Sequence, residues 1–155
     1  MNKVRIADIE HRVNSATVQR PLTDVLGTTG HSLNYYELAP GDSFAYGYHR
    51  HGQQEEVFII LAGVVTFETE TGEVIVREGE AIRFSPEEFQ VGTNRGDDRV
   101  IAYAIGAPKE TGGTELLREC DSCDDKTPHV VEQEANGEAK ITKCDRCGSI
   151  TGRFT

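Results

Sequence analysis

From Ser43 onward, apolar and polar residues alternate in short runs, each closed by glycine, proline or a charged turn. Val64-Val65-Thr66-Phe67-Glu68-Thr69 leads to a tip at Glu70-Thr71-Gly72-Glu73, and Val74-Ile75-Val76-Arg77 returns, which is the pattern of a hairpin. Val57-Phe58-Ile59-Ile60-Leu61 is continuously apolar and reads as a buried strand. Residues 32–38, 81–84, 89–92 and 99–105 give further strands. Ahead of them, Val4-Arg5-Ile6 predicts a short strand and residues 23–30 a glycine-bounded loop. Many short strands with turn residues between them indicate an all-β sandwich or barrel. Phe44, Phe58, Phe84 and Phe89 are expected in its core.

Length limits what this barrel can be joined to. A chain of 155 residues accommodates one core of about a hundred residues and a small appended unit. Composition changes after Gly106-Ala107-Pro108. The expected organisation is a barrel with its lead-in segment over 1–108, a linker over 109–116 and a second unit over 117–155.

Chemistry concentrates first at His49-Arg50-His51 and Glu55-Glu56. A strand has a side-chain period of two, so both imidazoles share one face. The loop Gly52-Gln53-Gln54 then turns the chain back, and either Glu55 or Glu56 can face them. Two imidazoles and a carboxylate on rigid strands form a three-ligand metal site with open positions. A metal-free polar pocket is the alternative, but burying these groups together is costly without a neutralising charge. Gly47, on the same face, either leaves room above the site or marks a bulge. His11 and His31 stand alone and are not expected to be ligands.

At these residues the chain resembles the cupin superfamily, whose first motif falls on Gly41, His49, His51, Glu56 and Gly63. The resemblance implies a double-stranded β-helix (a jelly-roll barrel) and selects Glu56 over Glu55 as the ligand. Seven residues separate Gly41 from His49 where five are usual, implying a longer strand or a bulge. The second motif begins at Gly79, and Asn94 matches its closing Asn, so the family's last ligand, a His, falls on Gln90. An amide oxygen is a weaker, harder donor than imidazole. Ser85 and Glu87 stand where the family prefers Pro and Gly. The resemblance implies a divalent metal in the barrel (Fe, Mn, Ni or Zn) held by His49, His51, Glu56 and Gln90. It also implies a small-molecule ligand or substrate and a homodimer.

The second unit carries all four cysteines, as Cys120-Asp121-Ser122-Cys123 and Cys144-Asp145-Arg146-Cys147. Each pair fits a tight turn, and four thiolates satisfy tetrahedral zinc. Between them, residues 129–134 and 138–143 predict a hairpin turned by Asn136-Gly137. This looks like a zinc ribbon, in which metal supplies most of the folding energy. Cys120, Cys123, Cys144 and Cys147 leave no open position, so that zinc is structural. His129 is expected at the surface.

A net charge of −10 and a pI near 4.9 disfavour nucleic acid and anionic membranes as partners. The N-terminus has no apolar stretch fit for a signal peptide, and no cysteine staples the barrel, which fits a cytoplasmic protein. Two functions stay open. One is a metal-dependent enzyme (dioxygenase, isomerase or lyase) acting on a small oxygen-bearing metabolite, with Tyr46, Glu55 and Glu88 as possible acid–base groups. The other is a non-catalytic sensor whose ribbon contacts a partner protein.

Overall fold

The computed structural model describes residues 1–135 and 137–155. The turn residue Asn136 lies outside the described residues. Alternation along the chain becomes two antiparallel sheets, and the apolar face of each meets the other. One sheet joins β1 (Val18–Pro21), β2 (Ser32–Leu38), β9 (Val100–Ala107), β4 (Glu55–Ala62) and β7 (Ala81–Phe84), in that order. The other begins at the C-terminus with β13 (Ile150–Phe154), β12 (Lys140–Cys144), β11 (Asp125–Gln133) and β10 (Thr114–Cys120). It continues through β3 (Tyr48–His51), β8 (Gln90–Thr93), β5 (Val64–Thr69) and β6 (Gly72–Arg77). The expected jelly roll is present.

Aromatic rings from both sheets interlock at the centre. Phe58 of β4 lies 5.1 Å from Phe67 of β5, and Phe44 lies 4.8 Å from Phe58, measured between ring centroids. Leu38, Ile60, Val65 and Val100 are fully buried around them. Strand β9 is strictly alternating, with Val100, Ala102, Ala104 and Gly106 buried. The small side chains toward its C-terminal end fill less of the interior. Phe89 is not in this core. It precedes inward-facing Gln90, so the pleat turns it outward, where it stacks on Tyr48 at 5.1 Å with the Arg50 guanidinium 4.7 Å from its ring.

The lead-in segment departs from expectation. Residues 4–6 form no strand: Ile6–Asp8 is an exposed single 3-10 turn, since no strand runs beside it to take its backbone hydrogen bonds. Within residues 23–30, Thr23–Leu26 makes one helical turn (α1), closed by Gly27 at φ 72°.

The linker expected over 109–116 is shorter in the structure. Thr114–Leu116 already belong to β10, which pairs with β3 in the register Thr114↔His51 and Leu116↔His49. The C-terminal unit therefore extends the barrel's own sheet. Instead of a lone hairpin it is four strands, β10 to β13, each antiparallel to the next.

Gly47 answers to this junction. A Cβ there would come within 2.8 Å of Arg118 and 3.0 Å of the Leu117 carbonyl oxygen, so glycine lets β10 approach. The added length before His49 is taken up by a bend over residues 44–47 ahead of β3.

Candidate metal centre and cavity

His49 and His51 lie on one face of β3, as a two-residue period demands, and each is fixed through Nδ1. His49 Nδ1 is 3.1 Å from the Gly47 carbonyl oxygen, and His51 Nδ1 is 2.9 Å from the Thr114 hydroxyl. A carbonyl can only accept, so His49 donates from Nδ1 and turns Nε2 toward Glu56, where a protonated ring donates to the carboxylate and a neutral ring offers its lone pair to a cation. Both Nε2 atoms converge on the Glu56 carboxylate, at 3.7 Å from His49 and 3.5 Å from His51. Burial raises the energy of the Glu56 carboxylate, but hydrogen bonds and charge from His49 and His51 outweigh it and bring its pKa down to about 2.

Glu55, one residue away, points outward to Arg83 at 2.6 Å. Pleating thus decides between the two acids as the motif spacing does. Donors at about 2.0–2.2 Å from one ion stand roughly 3.0–3.5 Å apart, and the observed separations are close to that range.

Gln90 is cross-strand partner to His49 and almost fully buried. Its amide nitrogen is 3.0 Å from Glu56 Oε2 and 3.4 Å from His49 Nε2, while its oxygen has no hydrogen-bond partner. An orphaned buried amide oxygen costs about 1–3 kcal/mol. Half a turn of that amide would bring the oxygen toward the three donors. The donor set fits a divalent cation, with Gln90 able to complete it. Glu87, in the same motif, has φ 67° and donates its N–H to the His51 carbonyl oxygen. A left-handed residue is where a glycine serves at least strain, in keeping with the family's preference at that position.

The triad borders a cavity of about 550 Å³. Tyr36, Phe44 and Phe58 give it an apolar floor, while Asn14 and Gln19 line it already hydrogen-bonded to each other and to Tyr36. Of the possible acid–base groups, only Tyr46 lines this cavity; its hydroxyl donates to the Val13 carbonyl, and burial pushes its pKa up to about 12. Glu88 is exposed and accepts the Ser85 N–H. Leu116, His129, Val130, Val131 and Lys140 of the C-terminal unit make up another wall.

His129 is thus not at the surface, being only 5 % exposed. It shares the inward face of β11 with Thr127, two residues earlier, whose side chain is also buried. A second cavity of about 570 Å³ opens on the other side of β10 and β3, between Tyr48, Glu68 and Lys126, and gathers no comparable set of donors.

The four cysteines converge as their spacing predicts. Their sulfurs all lie within 4.8 Å of one another, with Cys120 3.5 Å from Cys147 and Cys123 3.9 Å from Cys144. No disulfide links them, and tetrahedral thiolate ligation of zinc requires about 3.8 Å between sulfurs. The Thr127 hydroxyl, 3.2 Å from Cys144 Sγ, leads the contacts that bring that thiol down to about 6. Crowding by Cys147, with burial, pushes Cys123 up to about 12. Four such sulfurs cannot all ionise without a cation among them. His11 and His31 belong to neither cluster of possible metal-holding groups formed by described residues.

Residues 34–106 match the family model described as Cupin domain. Over those residues the barrel matches a cupin domain. Solved structures share the fold across low sequence identity. A cupin-superfamily sugar phosphate isomerase of Silicibacter pomeroyi aligns with a TM-score of 0.61 at 18 % identity, covering 99 % of this chain and 91 % of that one. A cupin protein of Bacteroides fragilis gives 0.58 at 20 % identity, covering 84 % and 96 %. An oxalate oxidase in complex with glycolate gives 0.57 at 16 % identity, covering 74 % and 62 %. No curated protein matches the chain in sequence. The cupin fold commonly binds a divalent metal; among the described residues, the triad and the Cys cluster are groups that could hold one. No helix among the described residues is long and apolar enough to cross a membrane.

Proposed function

We propose that this cupin holds a divalent metal through His49 Nε2, His51 Nε2 and Glu56, with Gln90 as an optional fourth ligand, and acts as a metal-dependent enzyme on a small oxygen-bearing metabolite. The observation that carries it is the locking of both imidazoles through Nδ1, which aims two nitrogens at one carboxylate oxygen. The bound metal supplies Lewis-acid polarisation of an oxygen atom of the ligand. Gly47 and Thr114 keep the imidazoles oriented, and Phe44 and Phe58 exclude water from the floor. Two structural neighbours, a sugar phosphate isomerase and an oxalate oxidase, carry names in keeping with small oxygenated substrates.

The Cys cluster holds structural zinc in this reading. Metal analysis of protein purified without added metal tests both sites. Two metals per chain are expected, with Glu56→Gln losing the barrel metal alone. A single zinc per chain in the wild type would refute the barrel site. Oxygen uptake and isomerisation assays over a panel of small diketones, phenols and sugars then test catalysis.

One observation favours the second reading, a cupin that holds a metabolite without transforming it. The Gln90 amide donates to Glu56, the position where the family pattern supplies a further imidazole. In that case ligand binding persists with no turnover in any assay of the panel.

A further inference from the structure

The register of the eight-stranded sheet sets five residues in one row on one face. Gln90 of β8 opposes His49 of β3, His49 opposes Leu116 of β10, Leu116 opposes His129 of β11, and His129 opposes Cys144 of β12. Neighbouring strands are about 4.8 Å apart, so His129 stands roughly 10 Å along the sheet from His49, with Leu116 between.

His129 Nδ1 is 2.8 Å from the Thr127 carbonyl oxygen and donates to it, which leaves the Nε2 lone pair free. That Nε2 is buried and has no hydrogen-bond partner, on a residue that lines the same cavity as the triad. An unmet acceptor of this kind costs about 1–3 kcal/mol unless something occupies the cavity and donates to it. Of the other polar side chains lining the cavity, Asn14 and Gln19 are already satisfied by each other and by Tyr36, Thr114 is engaged by His51, and Arg12 can only donate. Lys140, half-buried beside the cavity with its ammonium 5.7 Å from the Tyr46 ring, adds positive charge to that wall in a chain whose net charge is −10.

We propose that the ligand site is shared between the barrel and the C-terminal unit, and that it takes a hydroxylated carboxylic acid. His129 Nε2 accepts a hydrogen bond from a ligand hydroxyl remote from the triad, and Lys140 attracts the ligand's negative charge. The inference rests on the reading of the triad as the metal site, because the acid's carboxylate and 2-hydroxyl are the groups suited to that metal. The row places the two anchors on one face, two strands apart, which suits an acid that carries a further hydroxyl beyond its 2-hydroxyl.

The test compares glycerate, threonate and gluconate with lactate, which keeps the carboxylate and 2-hydroxyl but lacks any further hydroxyl. Binding is read by calorimetry on full-length protein whose two metals have been quantified. At least one of the three polyhydroxy acids is expected to bind the wild type more tightly than lactate. His129→Leu is expected to weaken that acid about fivefold while leaving lactate within twofold, and His129→Gln to recover part of the loss. Lys140→Met is expected to weaken all the acids together, by about tenfold.

The metal count separates the two readings. If the barrel metal is absent from the wild type, the metal-site reading fails on its own measurement, and the inference falls with it. If both metals are retained in His129→Leu and the selectivity for the polyhydroxy acid is unchanged, the inference alone is overturned. It is likewise overturned if none of the three acids binds metal-loaded protein.

Discussion

The barrel and the C-terminal unit share one sheet and keep their shape by different means. In the barrel, Phe44, Phe58, Phe67 and Phe84 interlock among fully buried Leu38, Ile60, Val65 and Val100. Beyond β10, the most buried side chains are Thr127, Ala139, Thr142 and Cys144, too small to build an apolar core, and Val130, Val131 and Ile150 are exposed. Apolar burial stabilises the first region whether or not its triad is loaded. On the proposed reading, the second depends on a metal held by its four sulfurs. A metal can thus be a late addition to one half of a sheet and a condition of folding for the other half.

Removal of the Cys-cluster metal should break this contrast most sharply. Structural zinc in such sites contributes on the order of 10 kcal/mol, so chelation or Cys144→Ser should release β11–β13 to rapid hydrogen exchange while β4, β5 and β9 stay protected. Continued protection of β11–β13 would show that the tail has a core of its own. Next in size, Phe67→Ala should cost the barrel about 3–5 kcal/mol, read by denaturant unfolding, without changing the metal content of the Cys cluster.

Thr114→Val probes the seam between the regions. Losing the hydroxyl that orients His51 should weaken barrel metal binding about tenfold, measured by competition with a chelator, with little change in stability. Unchanged metal affinity would mean that β10 has no part in the triad's orientation.

The smallest effect concerns acid. The Glu56 carboxyl is depressed in the folded protein, from about 4.5 to about 2, so its contribution to stability is present above the higher value. In metal-free protein that contribution should fade as the pH drops from about 4.5 toward about 2, and Glu56→Gln should flatten this part of the curve.

Much of this was legible from residue patterns. Alternation over 64–77 gave the β5–β6 hairpin, and the placement of His49, His51 and Glu56 followed from pleating together with motif spacing. The duplicated Cys-x-x-Cys pairs gave the second cluster. What escaped was everything set by strands distant in sequence. Nothing in Thr114-Glu115-Leu116 announces that it pairs with Tyr48–His51, because register across a long connection is decided by the partner's free edge and not by local composition. His129 was misplaced for the same reason: an isolated imidazole carries no mark of the face it occupies until its strand has neighbours. Phe89 was misjudged by hydrophobicity alone, although its neighbour Gln90 had already claimed the inward side of the pleat.

The pairing of β10 with β3 has a practical corollary for anyone dissecting this chain. A fragment ending at Pro108, the boundary suggested by composition, would strip Tyr48–His51 of the neighbour on one side and leave a row of unsatisfied amides along the imidazole-bearing strand. Such a bare margin recruits strands from other molecules. Insoluble protein from that fragment would report a wound in the sheet, not an inability of cupin residues to fold.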